Sequence, residues 1–163
     1  VKLGYAAADA DSKAKYAYGI NQVIGSGLGQ LSFGPLCARF GRKRTFGLMH
    51  VLSFFMVLAV CYVPGSYYQM LLLLPVFGFV TLSIHSGYAI YFPELFPNHL
   101  RSTGSSFCFN AGRLLAAPML IFSGYVKTQT TLPNAIALLG CLFLAGLLCL
   151  AFLPETKDQD LPE

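Results

Sequence analysis

The sequence predicts an all-α membrane protein, and three features of its composition and patterning support that class. Apolar residues make up 55% of the 163 residues and charged residues only 11%, whereas soluble domains typically carry ~25% charge. Five apolar segments are each long enough to cross ~30 Å of hydrocarbon as a helix. The charged residues gather between these segments. A water-soluble enzyme is therefore not expected.

The predicted membrane-spanning helices are each about 20 residues long and are bounded by proline, glycine or charged residues. Residues 1–15 are predicted to be the remnant of an external loop, and residues 154–163 a cytoplasmic tail. Because the chain starts at Val1 and soon enters an apolar segment, we expect a fragment of a longer protein. The five predicted spans cover residues 16–38, 46–63, 68–92, 102–126 and 132–153.

Basic residues are concentrated in the connection after the first span, and they set the predicted orientation. Four of the six residues at positions 39–44 are Lys or Arg, and such a cluster beside two spans favours the cytoplasmic side. Loops 39–45 and 93–101 and the C-terminus then lie on that side, with six basic residues inside and four outside. We expect an integral protein of the plasma (inner) membrane with these segments in the cytoplasm.

Polar side chains recur at helical spacing on the first, third and fourth spans, whereas the second and fifth spans have almost none. Because polar groups avoid lipid tails, the three polar spans are predicted to line an enclosed or watery interior. The alternative is that hydroxyls such as Ser26, Thr81 and Ser106 only hydrogen-bond within or between helices. The candidate substrate-binding residues on these spans are Gln22, Gln30, His85, Tyr88, Asn110 and Arg113.

Arg113 is the most informative of these residues. It lies about 17 Å past the inner boundary of its span, near the bilayer midplane, where an unpaired cation costs at least ~2.5 kcal/mol. No Asp or Glu occurs inside any predicted span. Its partner is therefore a carboxylate elsewhere in the protein, a cluster of carbonyls or water, or a bound anion, and the sequence leaves these three open.

Nothing in the sequence indicates a cofactor, a metal site or an enzyme. The five cysteines lack metal-binding or redox spacing,. The glycine-rich segment 25–29 follows no strand and precedes no Lys-Ser/Thr pair, so it favours helix packing over nucleotide binding. The expected partners are the lipid bilayer and a small-molecule solute, with no nucleic acid.

Three segments outside the apolar runs resemble motifs of one transporter family. Residues 34–43 (GPLCARFGRK) resemble the major facilitator superfamily signature between the second and third helices of each half. Residues 91–97 (YFPELFP), followed by Arg101, are similar to the family's loop after helix ten. PETK at 154–157, with LPE at 161–163, resembles the tail of its sugar-porter members. The resemblance implies helices eight to twelve of such a protein, with the N-terminal half of the same protein missing.

The resemblance also implies a function. Family members are secondary transporters that work by alternating access, and residues 107–113 (FCFNAGR) are similar to helix eleven of the metabolite and proton symporter branches. We therefore expect transport of a small metabolite, an organic or sugar-acid anion, coupled to protons through a carboxylate in the missing half. In these spans only His50 and His85 titrate near neutral pH. The alternatives are a facilitative sugar transporter and a non-transporting sensor or assembly subunit of the same fold.

The same motifs place gating residues at the cytoplasmic ends of the helices. The resemblance implies that these residues favour one face of the transport cycle, and the alternative is a set of solvated charges contributing at most ~1 kcal/mol a pair. Ala38 stands where the family often has an acidic residue, and Asp158 replaces a glycine of the tail motif. The predicted gating residues are Gly34, Arg39, Gly41, Arg42, Glu94, Arg101 and Glu155.

Overall fold

The computed structural model describes the backbone of residues 7–157 and the side chains of residues 12–157. Every regular element in this part of the chain is helical, which confirms the all-α class. The elements are α1 (Ala7–Tyr16), a π-helical segment (Ala17–Gln22), α2 (Val23–Phe40), α3 (Arg42–Tyr62), α4 (Tyr67–Glu94), α5 (Arg101–Gln129) and α6 (Leu132–Phe152).

Four helices of the described chain, α3 to α6, are long and apolar enough to cross a membrane. The first predicted span, residues 16–38, differs from the others. It is π-helical up to Gln22 and α-helical only from Val23. The α-helical part, Val23–Phe40, is only 18 residues long, and length and composition alone do not select it as a spanning helix.

The structure also differs from the loop expected over residues 1–15. Ala7–Tyr16 form the α-helix α1, which runs without interruption into the π-helical segment. The reason is local, because this stretch contains four alanines and two lysines, which are strong helix formers. Residues 1–6 lie outside the described part of the chain.

Gly41 sets the sharp turn between α2 and α3. Its φ of 94° lies in the left-handed region, which only glycine adopts at little cost. Its N–H donates to the carbonyl of Cys37 (3.0 Å) and ends α2. Its own carbonyl accepts from the N–H of Thr45 (3.2 Å) and begins α3. One residue therefore reverses the chain, and this turn carries the predicted gating motif.

Helix α4 is the centre of the bundle. It packs most extensively on α2, then on α3, and less on α5, while α3 packs on α6. Helices α2 and α5 do not contact each other within the described residues. The buried apolar core lies between α2, α3, α4 and α6, where Phe33 meets Phe46 edge to face with ring centroids 5.1 Å apart. Helix α5 has no buried residue.

Helices α2 and α4 approach backbone to backbone. A Cβ atom on Gly25 would overlap the backbone of Pro75, and one on Gly29 would overlap the backbone of Phe79. From the other side, a Cβ on Gly78 would meet the carbonyl oxygen of Gln22. Small residues four apart allow this approach between membrane helices, so the glycine-rich segment serves helix packing as predicted.

A proline in α4 is compensated by a side chain from the π-helical segment. Pro75 lies inside α4 and has no N–H to donate to the carbonyl of Leu71, four residues earlier,. The side-chain amide of Asn21 donates a hydrogen bond to that carbonyl. In a membrane, where water cannot satisfy the freed carbonyl, a neighbouring helix has to supply the donor. Asn21 therefore fixes the π-helical segment against α4.

This arrangement predicts a specific energetic coupling. Replacing Asn21 with Leu should lower the free energy of unfolding of the full-length protein by about 1–2 kcal/mol, because the Leu71 carbonyl loses its donor. In a Pro75→Ala background the new N–H can donate to that carbonyl, so the same replacement should cost little. The measurement is a double-mutant cycle from denaturant titrations in mixed micelles.

Asn134→Leu provides the matched control, because Asn134 is exposed and accepts only from the Tyr62 hydroxyl (2.8 Å). Its effect should not depend on residue 75. Equal costs for Asn21→Leu in the presence and absence of Pro75 would contradict this account.

Candidate functional site

Charged residues from the start of α3, the end of α4 and the tail after α6 meet at one end of the bundle. The guanidinium of Arg42, at the start of α3, binds the carboxylate of Glu94, at the end of α4, in a two-pronged geometry. Its terminal nitrogen lies 2.7 Å from Oε1, and its Nε lies 3.1 Å from Oε2. The two side chains are only 21% and 14% exposed. A pair of this geometry and burial is stronger than an ordinary surface ion pair.

Glu155, in the tail after α6, caps the start of α3. Its Oε1 accepts from the backbone N–H of Arg42 (2.9 Å), and its Oε2 accepts from that of Lys43 (3.1 Å). Oε1 also accepts from the backbone N–H of Lys157 (3.1 Å). The first N–H groups of a helix lack partners within it and carry partial positive charge, so a carboxylate is stabilised there. Gly41 leaves room for this carboxylate, because a Cβ atom at position 41 would lie 3.0 Å from Oε2.

Two lysines cap the C-termini of helices. The ammonium of Lys43 donates to the carbonyls of Ala151 (2.9 Å) and Leu153 (3.0 Å) at the end of α6. The ammonium of Lys157 donates to the carbonyl of Arg39 (3.1 Å) at the end of α2. Cations are favoured at helix C-termini, where carbonyls are left without donors.

Two hydroxyl groups complete the attachment of the tail. Thr156 donates to Oε2 of Glu94, and the phenolic hydroxyl of Tyr91 donates to the carbonyl of Pro154. Thr156 and Tyr91 are both buried. We name the group formed by Arg42, Lys43, Glu94, Glu155, Thr156 and Lys157 the helix-end cluster. Through it the ends of α2, α3, α4 and α6 form one connected unit.

Of the predicted gating residues, Gly41, Arg42, Glu94 and Glu155 therefore meet, and three others do not join them. Arg39 is exposed, with its guanidinium 5.6 Å from the centre of the Phe40 ring. A Cβ atom on Gly34 would lie 3.9 Å from Cδ1 of Ile90, at ordinary van der Waals distance. Arg101 buries its Nε and one terminal nitrogen without a hydrogen-bond partner in the described part of the chain.

The predicted substrate-binding residues are spread over three surfaces. Gln22 is half-buried against Gly78 of α4, and Gln30 is exposed on α2. On α5, Asn110 is exposed and its amide donates to the carbonyl of Ser106 in its own helix (2.8 Å). Arg113 is exposed one turn further along α5. The structure does not bring these four residues into one pocket.

His85 and Tyr88 lie closer to the contact between α4 and α5. The exposed His85 ring meets Phe109 of α5 edge to face, with centroids 6.0 Å apart. Tyr88 stacks on Phe92 at 5.3 Å and on Phe46 at 5.4 Å. Tyr88 also lines a mainly apolar cleft of about 200 Å³ between α3, α4 and α6. The buried His50 lines the same cleft and its Nδ1 lies 2.8 Å from the carbonyl of Phe46.

Several hydroxyls bond within their own helix, as the alternative interpretation of the polar stripes held. Ser26 donates to the carbonyl of Gln22 (2.7 Å), and Thr81 donates to that of Phe77 (2.6 Å). Ser86 instead donates across to the carbonyl of Gln30 (3.1 Å). Within residues 12–157 no three His, Cys, Asp or Glu side chains lie together as metal ligands would.

The sequence interpretation missed residues that the structure makes important. Asn21 could have been found from Pro75, because a proline in a membrane helix leaves one carbonyl that needs a donor. Lys43 and Thr156 lie beside predicted gating residues, but only the way in which α6 and the tail fold back assigns them their partners. Nothing in the sequence indicates which of the basic residues bind carbonyls rather than carboxylates.

A bundle of four helices long and apolar enough to cross a membrane is typical of an integral membrane protein of the multi-pass class,. The family follows from comparison with known proteins. The chain belongs to the Major Facilitator Superfamily of transporters, whose model matches residues 12–163. The resemblance seen in the loop and tail motifs is thereby confirmed.

The chain is also similar in sequence to three individual proteins. It is 26% identical over 138 residues to a probable 4-methylmuconolactone transporter of Cupriavidus pinatubonensis, with 78% of this chain and 32% of that protein covered. It is 34% identical over 127 residues to organic anion transporter 3 of Sus scrofa, covering 76% of the chain and 22% of the relative. It is 32% identical over 127 residues to a synaptic vesicle 2-related protein of Pongo abelii, covering 77% and 23%. The chain thus spans a third or less of these relatives.

Proposed function

We propose that this chain is part of a secondary active transporter that moves a small organic anion across the membrane by alternating access. The observation that carries the proposal is the position of Arg113. It lies about 18 Å along α5 from Arg101 at ~1.5 Å per residue, in the middle of a helix with no Asp or Glu.

Arg113 has no carboxylate partner in the described part of the chain. The only acidic side chains of residues 12–157 are Glu94 and Glu155, and both are engaged in the helix-end cluster. A cation at membrane depth requires a counter-charge or a watery cavity. A planar guanidinium matches a carboxylate bidentately, so an organic anion is the proposed partner during transport.

The relatives support the chemical class of the solute. Two of the three proteins named above carry names that describe transport of an organic anion and of a lactone. The exposed face of α5, with Asn110 and Arg113, leaves room for the second half of the bundle, which we propose to be the N-terminal half of the same protein. The substrate would then lie between the halves, near the midplane.

The helix-end cluster is proposed to act in the transport cycle. It joins four helix ends, so these helices move as one body when the two halves rock against each other. The Arg42–Glu94 pair is largely buried, so separating the two side chains costs free energy. The intact pair therefore favours the conformations in which these helix ends stay together.

Replacing Arg113 with Gln should raise the KM for organic anions by about tenfold or more, since a charge-assisted bidentate contact is lost. Uptake of neutral solutes should change little. The measurement is a panel of carboxylates and matched neutral amides, taken up by vesicles containing the full-length protein. Lys127→Gln, which removes one charge near the end of the same helix, is the control. An unchanged KM for every anion would remove Arg113 from the site.

The same vesicles test proton coupling, which we propose proceeds through a carboxylate outside this chain. An inward proton gradient should drive accumulation of the anion above its external concentration. Uptake that only equilibrates, whatever the gradient, would instead indicate facilitated diffusion.

Reversing the charge of Glu94 with Lys should lower the initial uptake rate by about tenfold, since an ion pair of this kind is worth more than ~1.4 kcal/mol. The exchanged pair, Arg42→Glu with Glu94→Lys, should recover part of the rate. Lys127→Glu is the matched reversal outside the helix-end cluster and should have little effect. Equal uptake by wild type and Glu94→Lys, at equal surface abundance, would show that the cluster has no role in the cycle.

We propose a plasma-membrane location with loops 39–45 and 93–101 and the C-terminus in the cytoplasm, supported by the basic residues beside α2 and α3. Cysteine placed at the exposed Asn98, in a background without the native cysteines, should react with a membrane-impermeant maleimide only after the cells are opened. Labelling of intact cells would reverse the orientation.

A further inference from the structure

Outside the contacts already described, the turn between α2 and α3 forms a polar crevice of about 330 Å³. It borders the helix-end cluster and shares Glu155 and Lys157 with it. Three of its six lining residues are cationic and one is acidic. The lining residues are Arg39, Phe40, Gly41, Arg44, Glu155 and Lys157.

Among the described residues, the charges that line this crevice do not cancel. Glu155 is the only acidic lining residue in that part of the chain. Its carboxylate already accepts two backbone N–H groups at the start of α3 and one in the tail. Neither Arg39 nor Arg44 has a hydrogen bond or an ion pair from its guanidinium to any residue of 12–157. Lys157 stands beside them, held by the carbonyl of Arg39. Two arginines that line one crevice carry the planar groups that bind phosphate well.

An exposed apolar stripe continues from this crevice down α3. Leu48, Leu52 and Phe55 follow Arg44 at helical spacing on one face, and all three are exposed. From Arg44 to Phe55 the stripe is about 16 Å long at ~1.5 Å per residue, which matches half of a ~30 Å hydrocarbon layer. Phe40, 53% exposed at the crevice, adds an aromatic ring at the level of the polar headgroups,.

We propose that the crevice binds the phosphate of an anionic phospholipid, with Arg39, Arg44 and Lys157 around the headgroup and one acyl chain along the α3 stripe. The apolar stripe is the reason to assign a lipid rather than soluble phosphate, because a free anion would gain nothing from it. Phosphatidylcholine is disfavoured because its choline would approach three cations. This site is independent of the identity of the transported solute.

The test is titration of the detergent-solubilised full-length protein with palmitoyl-oleoyl phosphatidylglycerol, followed by native mass spectrometry. The tightest-bound phosphatidylglycerol should bind about tenfold more tightly than phosphatidylcholine of the same chains. Arg44→Gln should weaken phosphatidylglycerol by about tenfold and leave phosphatidylcholine unchanged. Lys127→Gln, with the same loss of charge at the end of α5, should leave both affinities unchanged.

Two competition experiments distinguish binding of the whole lipid from binding of a soluble phosphate. Inorganic phosphate and glycerol 3-phosphate, each at millimolar concentration, should fail to displace the bound lipid. Displacement by either would overturn the assignment in favour of a soluble anion. If Arg44→Gln is not monodisperse, Arg39→Gln provides the same test from the other side of Gly41. Phosphatidylglycerol bound equally by wild type and these variants would refute the site.

Discussion

Backbone groups within a membrane have no water to bond, and this constraint accounts for the most unusual contacts of the bundle. Pro75 deprives the Leu71 carbonyl of its donor, so the chain has to supply one from another helix, and Asn21 does so,. The donor reaches its acceptor only because α2 and α4 are close, which in turn requires glycine at 25 and 29. The constraint thus links a proline in α4 to an asparagine and two glycines in the helical run that packs on it.

The same constraint acts at the helix ends, where it is met by side chains of matching sign. A carboxylate caps the N-terminus of α3, while ammonium groups cap the C-termini of α2 and α6,. Each cap comes from a different segment than the helix it completes. The basic residues of the α2–α3 turn therefore divide into two groups. Arg42 and Lys43 are committed to the fold, and Arg39 and Arg44 remain available at the surface.

The sequence predicts the features that depend on local residue patterns. It does not predict the features that depend on which helices pack against each other. Long apolar runs and their punctuation by Pro, Gly and charge predict helices α3 to α6, and the motifs around Arg42, Glu94 and Glu155 predict residues that do meet. The π-helical segment, the donor role of Asn21 and the partners of Lys43 all depend on which helix faces which. Polar periodicity also predicts a shared face for α2, α4 and α5. The described structure joins α2 to α4 and α4 to α5, but not α2 to α5.

This arrangement bears on how the candidate substrate residues can work. Gln22 is fixed in the contact of α2 with α4, next to Gly78, where the two backbones touch. Asn110 and Arg113 lie on α5, which buries no side chain and contacts α4 only lightly. A ligand held by Arg113 would therefore contact the helix that packs least on the rest of the described bundle, whereas Gln22 lies inside a close helix contact. The edge-to-face contact of His85 with Phe109 joins α4 to α5. His85 thus links the candidate residues on α5 to those in the contact of α2 with α4.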